Sequence, residues 1–259
     1  MFDRRALSDD LAAVRDEHAP DALVLDTERE FETLDPAVAE SLGPLCESLD
    51  PVTYPAEWLP ADAPEILANY ASDSFTIGMP GDGGVAWTTQ TVPPTVLVKP
   101  RLAGSPEPFI EFLIAEALVE IGLDEPEQFL GFFGERYRDL DEATSLAPAG
   151  TYQLAAALYD AYLGRATRDI FGNWNDDHPD LHAAWVDAGE RLVPRLANLS
   201  SEIATGETSF AAAAELACSA VKHDLDIPTP FGALDTRAYR EYGPDYAVEW
   251  AEKTFAELD

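Results

Sequence analysis

Glu107-Pro108-Phe109-Ile110-Glu111-Phe112-Leu113-Ile114-Ala115-Glu116-Ala117-Leu118-Val119-Glu120-Ile121-Gly122 is the stretch on which the fold turns. Ile110, Ile114, Ala117, Leu118 and Ile121 recur at helical spacing, and Phe112 and Val119 make a second apolar stripe. The segment therefore predicts a helix buried on more than one side. Its most apolar part, Phe109 to Ile121, is broken by Glu111, Glu116 and Glu120. It is too short and too charged to cross a bilayer. Such a helix belongs at the centre of a core, with other layers packed on it.

On its N-terminal side, the spacing predicts a three-stranded antiparallel meander: Ser74 to Met79, a turn at Pro80-Gly81-Asp82-Gly83-Gly84, Val85 to Thr91, and Thr95 to Lys99 after Pro93 and Pro94. Further back, Pro44, Pro51, Pro55, Pro60 and Pro64 exclude regular helix or central strand, while Tyr54, Trp58 and Leu59 pin that segment to the body. Ala22 to Leu25 has the apolar run of a strand, and Leu7, Leu11 and Val14 predict a first helix closed by Pro20. Beyond Gly122 the pattern is helical, with breaks near 122–125, 144–150, 172–179, 206 and 227–232, or about six helices from Glu107 onward. The fold class is α+β: a small antiparallel three-stranded sheet joined to a larger helical body. The expectation is one domain over 1–259, with an N-terminal helical and proline-rich wrap (1–72), the β-meander (73–103) and the helical body (104–259).

The net charge is −33, from 49 acidic and 16 basic residues, and the acids are spread along the chain. Hydrophobic residues make up 46%, enough to fold, so the charge marks an acidic surface and not disorder. Only Lys99, Lys222 and Lys253 are lysines; the other basic residues are arginine. At ordinary ionic strength this surface repels itself, whereas at molar salt the Debye length falls to about 3 Å and the repulsion is screened. The composition fits a cytoplasmic protein of a halophile, with salt cations at the acidic surface. Basic residues form no run and the field opposes phosphate, so nucleic acid is not expected as a partner. Cys46 and Cys218 have neither zinc spacing nor a CxxC pattern and read as free thiols. The N-terminal stretch lacks the apolar region of a secretory signal.

Candidate chemistry is sparse. The most unusual polar segment, Asn173 to His182, holds His178 and His182 at HxxxH spacing with Asp176 and Asp177 nearby, a possible metal set. The competing reading makes Pro179 the first helical residue, with Asp177 or His178 as its N-cap. His223, in Lys222-His223-Asp224, is either a base beside its orienting carboxylate or a solvated helix end whose charge suits the dipole. Glu116 lies amid apolar neighbours and needs a partner or a route to solvent. The pairs Arg165/Arg168, Arg191/Arg195 and Arg237/Arg240 are expected to meet nearby acids. The glycine-rich turn at 80–84 lacks GK[ST] and GxGxxG and is followed by a strand, which favours a hairpin over a phosphate loop.

Two resemblances follow. A sheet followed by a buried helix resembles the layout of HExxH zinc metallopeptidases, and the matching place reads Ala115-Glu116-Ala117-Leu118-Val119. The glutamate is kept, but both histidine positions are apolar, so zinc would not be held. The stretches EWLPADAPE (57–65), FTIGMPGDGG (75–84), VLVKPRL (96–102) and FLGFFGERYRDL (129–140) resemble an uncharacterised haloarchaeal family. That resemblance implies a halophilic cytoplasm and supplies no activity or cofactor. The reading that emerges is a protein–protein interaction or regulatory protein with Trp, Tyr and Arg anchors. The alternative is a metal-dependent hydrolase built around His178 and His182, or an inactive relative of the metallopeptidase layout.

Overall fold

The computed structural model describes residues 2–258. The chain is mostly helical, with a few strands. It divides into two compact units, neither of them continuous in sequence: Met1–Thr53, Asn69–Glu127 and Trp174–Ala184 form the first, and Tyr54–Ala68, Gln128–Asn173 and Trp185–Asp259 the second.

The first unit holds the sheet. Strands β1 (Phe2–Arg4), β2 (Leu23–Thr27), β4 (Val85–Thr88) and β6 (Thr95–Val98) lie in the order β1-β2-β6-β4; the short β3 (Ser48–Leu49) and β5 (Thr91–Val92) pair separately. The sheet is mixed: β2 runs parallel to β6, while β1 and β4 are antiparallel to their neighbours. This corrects the expected three-stranded meander. β4 and β6 pair antiparallel as anticipated, but Ser74 to Met79 forms no strand.

That segment is nonetheless buried from Phe75 to Met79. Its backbone groups are satisfied outside any ladder: the Gln90 amide donates to the Thr76 carbonyl (2.9 Å), Leu34 N–H to the Ile77 carbonyl (2.9 Å), and the Tyr70 hydroxyl to the Gly78 carbonyl (2.6 Å). Gly78 sits at φ +79, where an added Cβ would come within 2.8 Å of the Glu32 carbonyl oxygen. The left-handed residue ends the extended run before pairing can begin. The turn at 80–84 is consequently not a hairpin. It is closed by the Asp82 carboxylate accepting from Met79 N–H (2.6 Å).

Both faces of the sheet are covered. Register places Leu25, Leu97 and Ala86 in one row and Val24, Val96 and Trp87 in the next, and successive residues point to opposite faces. The first row packs with Phe31, Leu34, Phe75 and Ile77 from irregular chain and with Leu42 from the 3-10 helix Glu40–Leu45. On the other side helix α4 (Glu107–Gly122) contacts β4, β6 and helix α1 (Asp9–His18). The two apolar stripes of α4 explain its burial: Ile110, Phe112, Ile114, Leu118 and Val119 are all inside. The Trp87 indole N–H donates to Glu120 (2.8 Å), tying the helix to the sheet. Gly122 lies so close to α1 that an added Cβ would stand 2.5 Å from the His18 carbonyl oxygen.

The remaining helices are α2 (Pro36–Ala39), α3 (Glu65–Tyr70), α5 (Phe129–Phe133), α6 (Arg136–Ala143), α7 (Pro148–Asp177), α8 (Pro179–Leu196), α9 (Leu199–Thr205), α10 (Phe210–Ser219), α11 (Arg237–Tyr242) and α12 (Pro244–Leu258). Among the described residues nine helices begin at or after Glu107, against about six expected, because α5, α6, α9 and α11 are too short for periodicity to reveal. The predicted break at 172–179 narrows to His178 alone. In the second unit α12 packs on α6 and α11. Rings form its core: Phe129 meets Tyr137 and Tyr152, and Phe210 meets Phe231, Trp250 and Phe255. The later part of the proline-rich segment, from Tyr54 on, is pinned there by Trp58, whose ring meets that of Tyr54 at a tilt and lies beside Gly134.

Candidate functional site

His178 occupies the single residue between α7 and α8, directly before Pro179, which is the N-cap position expected of it. Helical bonding continues through the junction: His178 N–H donates to the Trp174 carbonyl and His182 N–H to that of His178. The imidazole is turned to another element. Its Nδ1 lies 3.1 Å from the Asp10 carboxylate on α1, and its ring meets Trp174 edge to face. Asp176 and Asp177 point to solvent, and His182 is half-buried. The structure thus joins His178 to Asp10, which the sequence did not single out. Among the described residues no group of three His, Cys, Asp or Glu side chains is placed to hold a metal.

His223 departs from the solvated helix end. It is 9% exposed, stacked on Trp185 with ring centroids 6.0 Å apart, and an added Cβ at Gly189 would come within 3.0 Å of it. Burial, with the charge of Lys222, pushes its pKa down to about 4, so the ring is neutral at pH 7 and brings no charge to a helix dipole. Asp224 adopts a left-handed conformation and pairs with Arg168 (3.0 Å), not with His223. Arg168 and Arg165 both reach Asp235, and Arg191 pairs with Asp187. Arg240 instead lies over the Tyr162 ring, 4.1 Å from its centroid. Glu116 is 7% exposed, less than any other described acid, and it is not without an interaction partner.

Three features went unread in the sequence. In the first unit, Lys99 directly follows β6 and is 1% exposed, its ammonium 4.7 Å from the centre of the Phe31 ring. Burial lowers its pKa, against the opposing charges of Asp82 and Glu32. Arg101, two residues on, bridges Glu30 and Glu32. The available signal was the lysine itself, kept in a chain that otherwise uses arginine. Also in the first unit, Glu127 accepts from the Thr88 hydroxyl (2.7 Å), Thr89 N–H (3.1 Å) and the Gln90 amide (3.0 Å). Burial pushes its carboxyl up to about 7 in spite of those donors. Nothing local announces this, since Glu127 sits in a loop.

The third feature is a cleft of about 360 Å³ in the second unit, lined by Arg195, Leu199, Glu202, Glu207, Thr208, Ser209, Ala212 and Leu216. It is built where α8 gives way to α9, α9 stops at left-handed Gly206, and Ser209 caps α10 by accepting from Ala212 N–H. Glu202 accepts from the Thr208 hydroxyl (2.9 Å), which holds the turn against α9. The floor is apolar (Leu199, Ala212, Leu216) and the rim carries one arginine and two glutamates. Such a volume is at the lower end of the roughly 300–1,000 Å³ that hold small ligands, and the lining offers no nucleophile–base pair.

Comparison with curated proteins and with solved structures finds no match. The model of a family of unknown function, DUF7089, matches residues 1–258, and the chain belongs to that family.

Proposed function

We propose that this is an interaction or regulatory protein of a salt-rich cytoplasm, which docks a short segment of another protein in the cleft between α8, α9 and α10. The observation that carries the reading is the make-up of that cleft, an apolar floor with a charged rim. Two glutamates against one arginine favour a basic segment, as does the net charge of −33. In molar salt long-range attraction is screened, so the apolar anchor supplies most of the affinity, ~2 kcal/mol for one buried aliphatic side chain, and the rim sets orientation by direct pairs.

The halophilic setting rests on the charge, on the scarcity of lysine, and on the confinement of all described acids except Glu116 to exposed or half-buried positions. No helix among the described residues is long and apolar enough to cross a membrane.

Fluorescence anisotropy in 2 M KCl with synthetic peptides tests the docking. A Leu or Phe flanked by Lys or Arg should bind, the same peptide with Asp or Glu flanks should bind at least tenfold more weakly, and Leu216→Glu should abolish binding. Equal binding of both peptides, or binding indifferent to Leu216→Glu, overturns the reading.

A further inference from the structure

Lys99 is an anomaly twice over. A chain that has replaced nearly all its lysines keeps one here, and it is among the largest fully buried side chains. Its Nζ has no hydrogen-bond acceptor among the described residues. Arginine could not serve in such a place, because it stays charged, whereas lysine can shed its proton when acceptors and water are withheld. The charged groups that act on it are Asp82 on the turn, Glu32 and Glu30 on the chain after β2, and Arg101 after β6.

We propose that Lys99 is a nucleophilic amine whose partner is a small, neutral carbonyl compound. Arg101 offsets only one of the charges of Glu30, Glu32 and Asp82, so the surroundings stay net negative and disfavour an anion, which makes phosphate the wrong class. A neutral aldehyde or ketone escapes that repulsion and gives the nitrogen the electrophile it needs. The Lys99 lone pair attacks the carbonyl carbon, and the nitrogen's protons pass to the oxygen, which leaves as water. A C=N bond replaces C=O with no net change in protons or electrons.

Access comes through the turn. Pro80 to Gly83 are exposed, and Gly81 and Gly83 are left-handed with nothing within 4 Å of where a Cβ would be. The turn is tied down by the bond from Met79 N–H to Asp82 and by one from Gly81 N–H to the Glu32 carboxylate, and releasing these ties is the step that admits the ligand.

Three lysines in the whole chain make the test clean. The folded protein in 2 M KCl is treated with propanal and cyanoborohydride from pH 6 to 9, and modification is read peptide by peptide. At pH 7 Lys99 should react at least as fast as exposed Lys253, reach its plateau at lower pH, and prefer propanal to anionic glyoxylate. Lys99→Met, checked for native circular dichroism, should lose only that label. If Lys99 is modified only after guanidinium unfolding, or follows the pH profile of Lys253, the amine is structural and the proposal fails. Preference for glyoxylate overturns the neutral-ligand assignment. Peptide docking in the second unit is a separate measurement, so either result stands without the other.

Discussion

Gly122→Ala should destabilise the protein, although glycine to alanine near a helix end ordinarily does the reverse. Gly122 is the last residue of α4, and a Cβ there would lie 2.5 Å from the His18 carbonyl oxygen and 3.1 Å from both the carbonyl carbon and Cβ of His18. A comfortable carbon–oxygen contact needs ~3.3 Å, and both the helix end and the opposing group are backbone, so relief requires α1 and α4 to move apart. Overpacking of this kind costs about 1–3 kcal/mol, and improved helix propensity returns at most ~1 kcal/mol. The net expectation is a loss of about 1–2 kcal/mol, measured by urea unfolding in 2 M KCl as a lower midpoint at unchanged slope. Gly43→Ala is the control, since the only neighbour there is a Leu49 methyl at 3.8 Å. It should be neutral within about 0.5 kcal/mol. If Gly122→Ala matches the control or stabilises, the α1–α4 contact is not as described and the core argument fails with it.

Glu127 holds its proton to about 7 when folded and to 4.5 when unfolded, so its contribution is fully present below pH 4.5 and lost as pH rises through 7. Glu127→Gln should flatten that slope in unfolding experiments between pH 4.5 and 7.5, and an unchanged slope refutes the assignment. His223 works in the opposite direction: its contribution is full above 6.5 and lost as pH falls through about 4. Its imidazole resonances in the folded protein should stay those of the neutral ring down to about pH 4.5, and titration near 6.5 would contradict its burial. Salt should raise the melting temperature by roughly 10 °C or more between 0.1 M and 2 M KCl as the acidic surface is screened; an unchanged value would remove the halophilic reading. His178→Ala should cost about 1 kcal/mol through the lost contact with Asp10, and calorimetry with Zn²⁺ should give no stoichiometric micromolar site. A site that vanishes in the His178→Ala, His182→Ala double variant would restore the metal reading.

The sequence by itself determined what local chemistry controls. Double-sided apolar spacing in 107–122 is enough to bury α4, short runs rich in Val, Thr and Trp at 85–88 and in Val and Thr at 95–98 are enough for strands, and the charge is legible without coordinates. The pairing of Arg191 with Asp187 and the junction at Pro179 were readable too, because i to i+4 geometry and helix starts are local rules, whereas Arg165 and Arg168 meet Asp235 from a distant part of the chain. Tertiary structure alone decided the parallel pairing of β2 with β6, which joins residues about seventy apart in sequence and leaves no trace in the pattern of either strand. It also decided that Ser74 to Met79 stays unpaired: the run alternates like a strand, but Gly78 goes left-handed against Glu32 and side chains from Tyr70 and Gln90 take its carbonyls. The polar residues divide the same way. The surroundings of His178, His223, Lys99 and Glu127 are not legible in the sequence because a titratable group's state is set by what is packed around it, and those neighbours, Asp10, Trp185, Phe31 and Thr88, lie between 38 and 168 positions away. Burial and charge interact through space, and spacing along the chain records them only where a helix or strand makes neighbours of residues close in sequence.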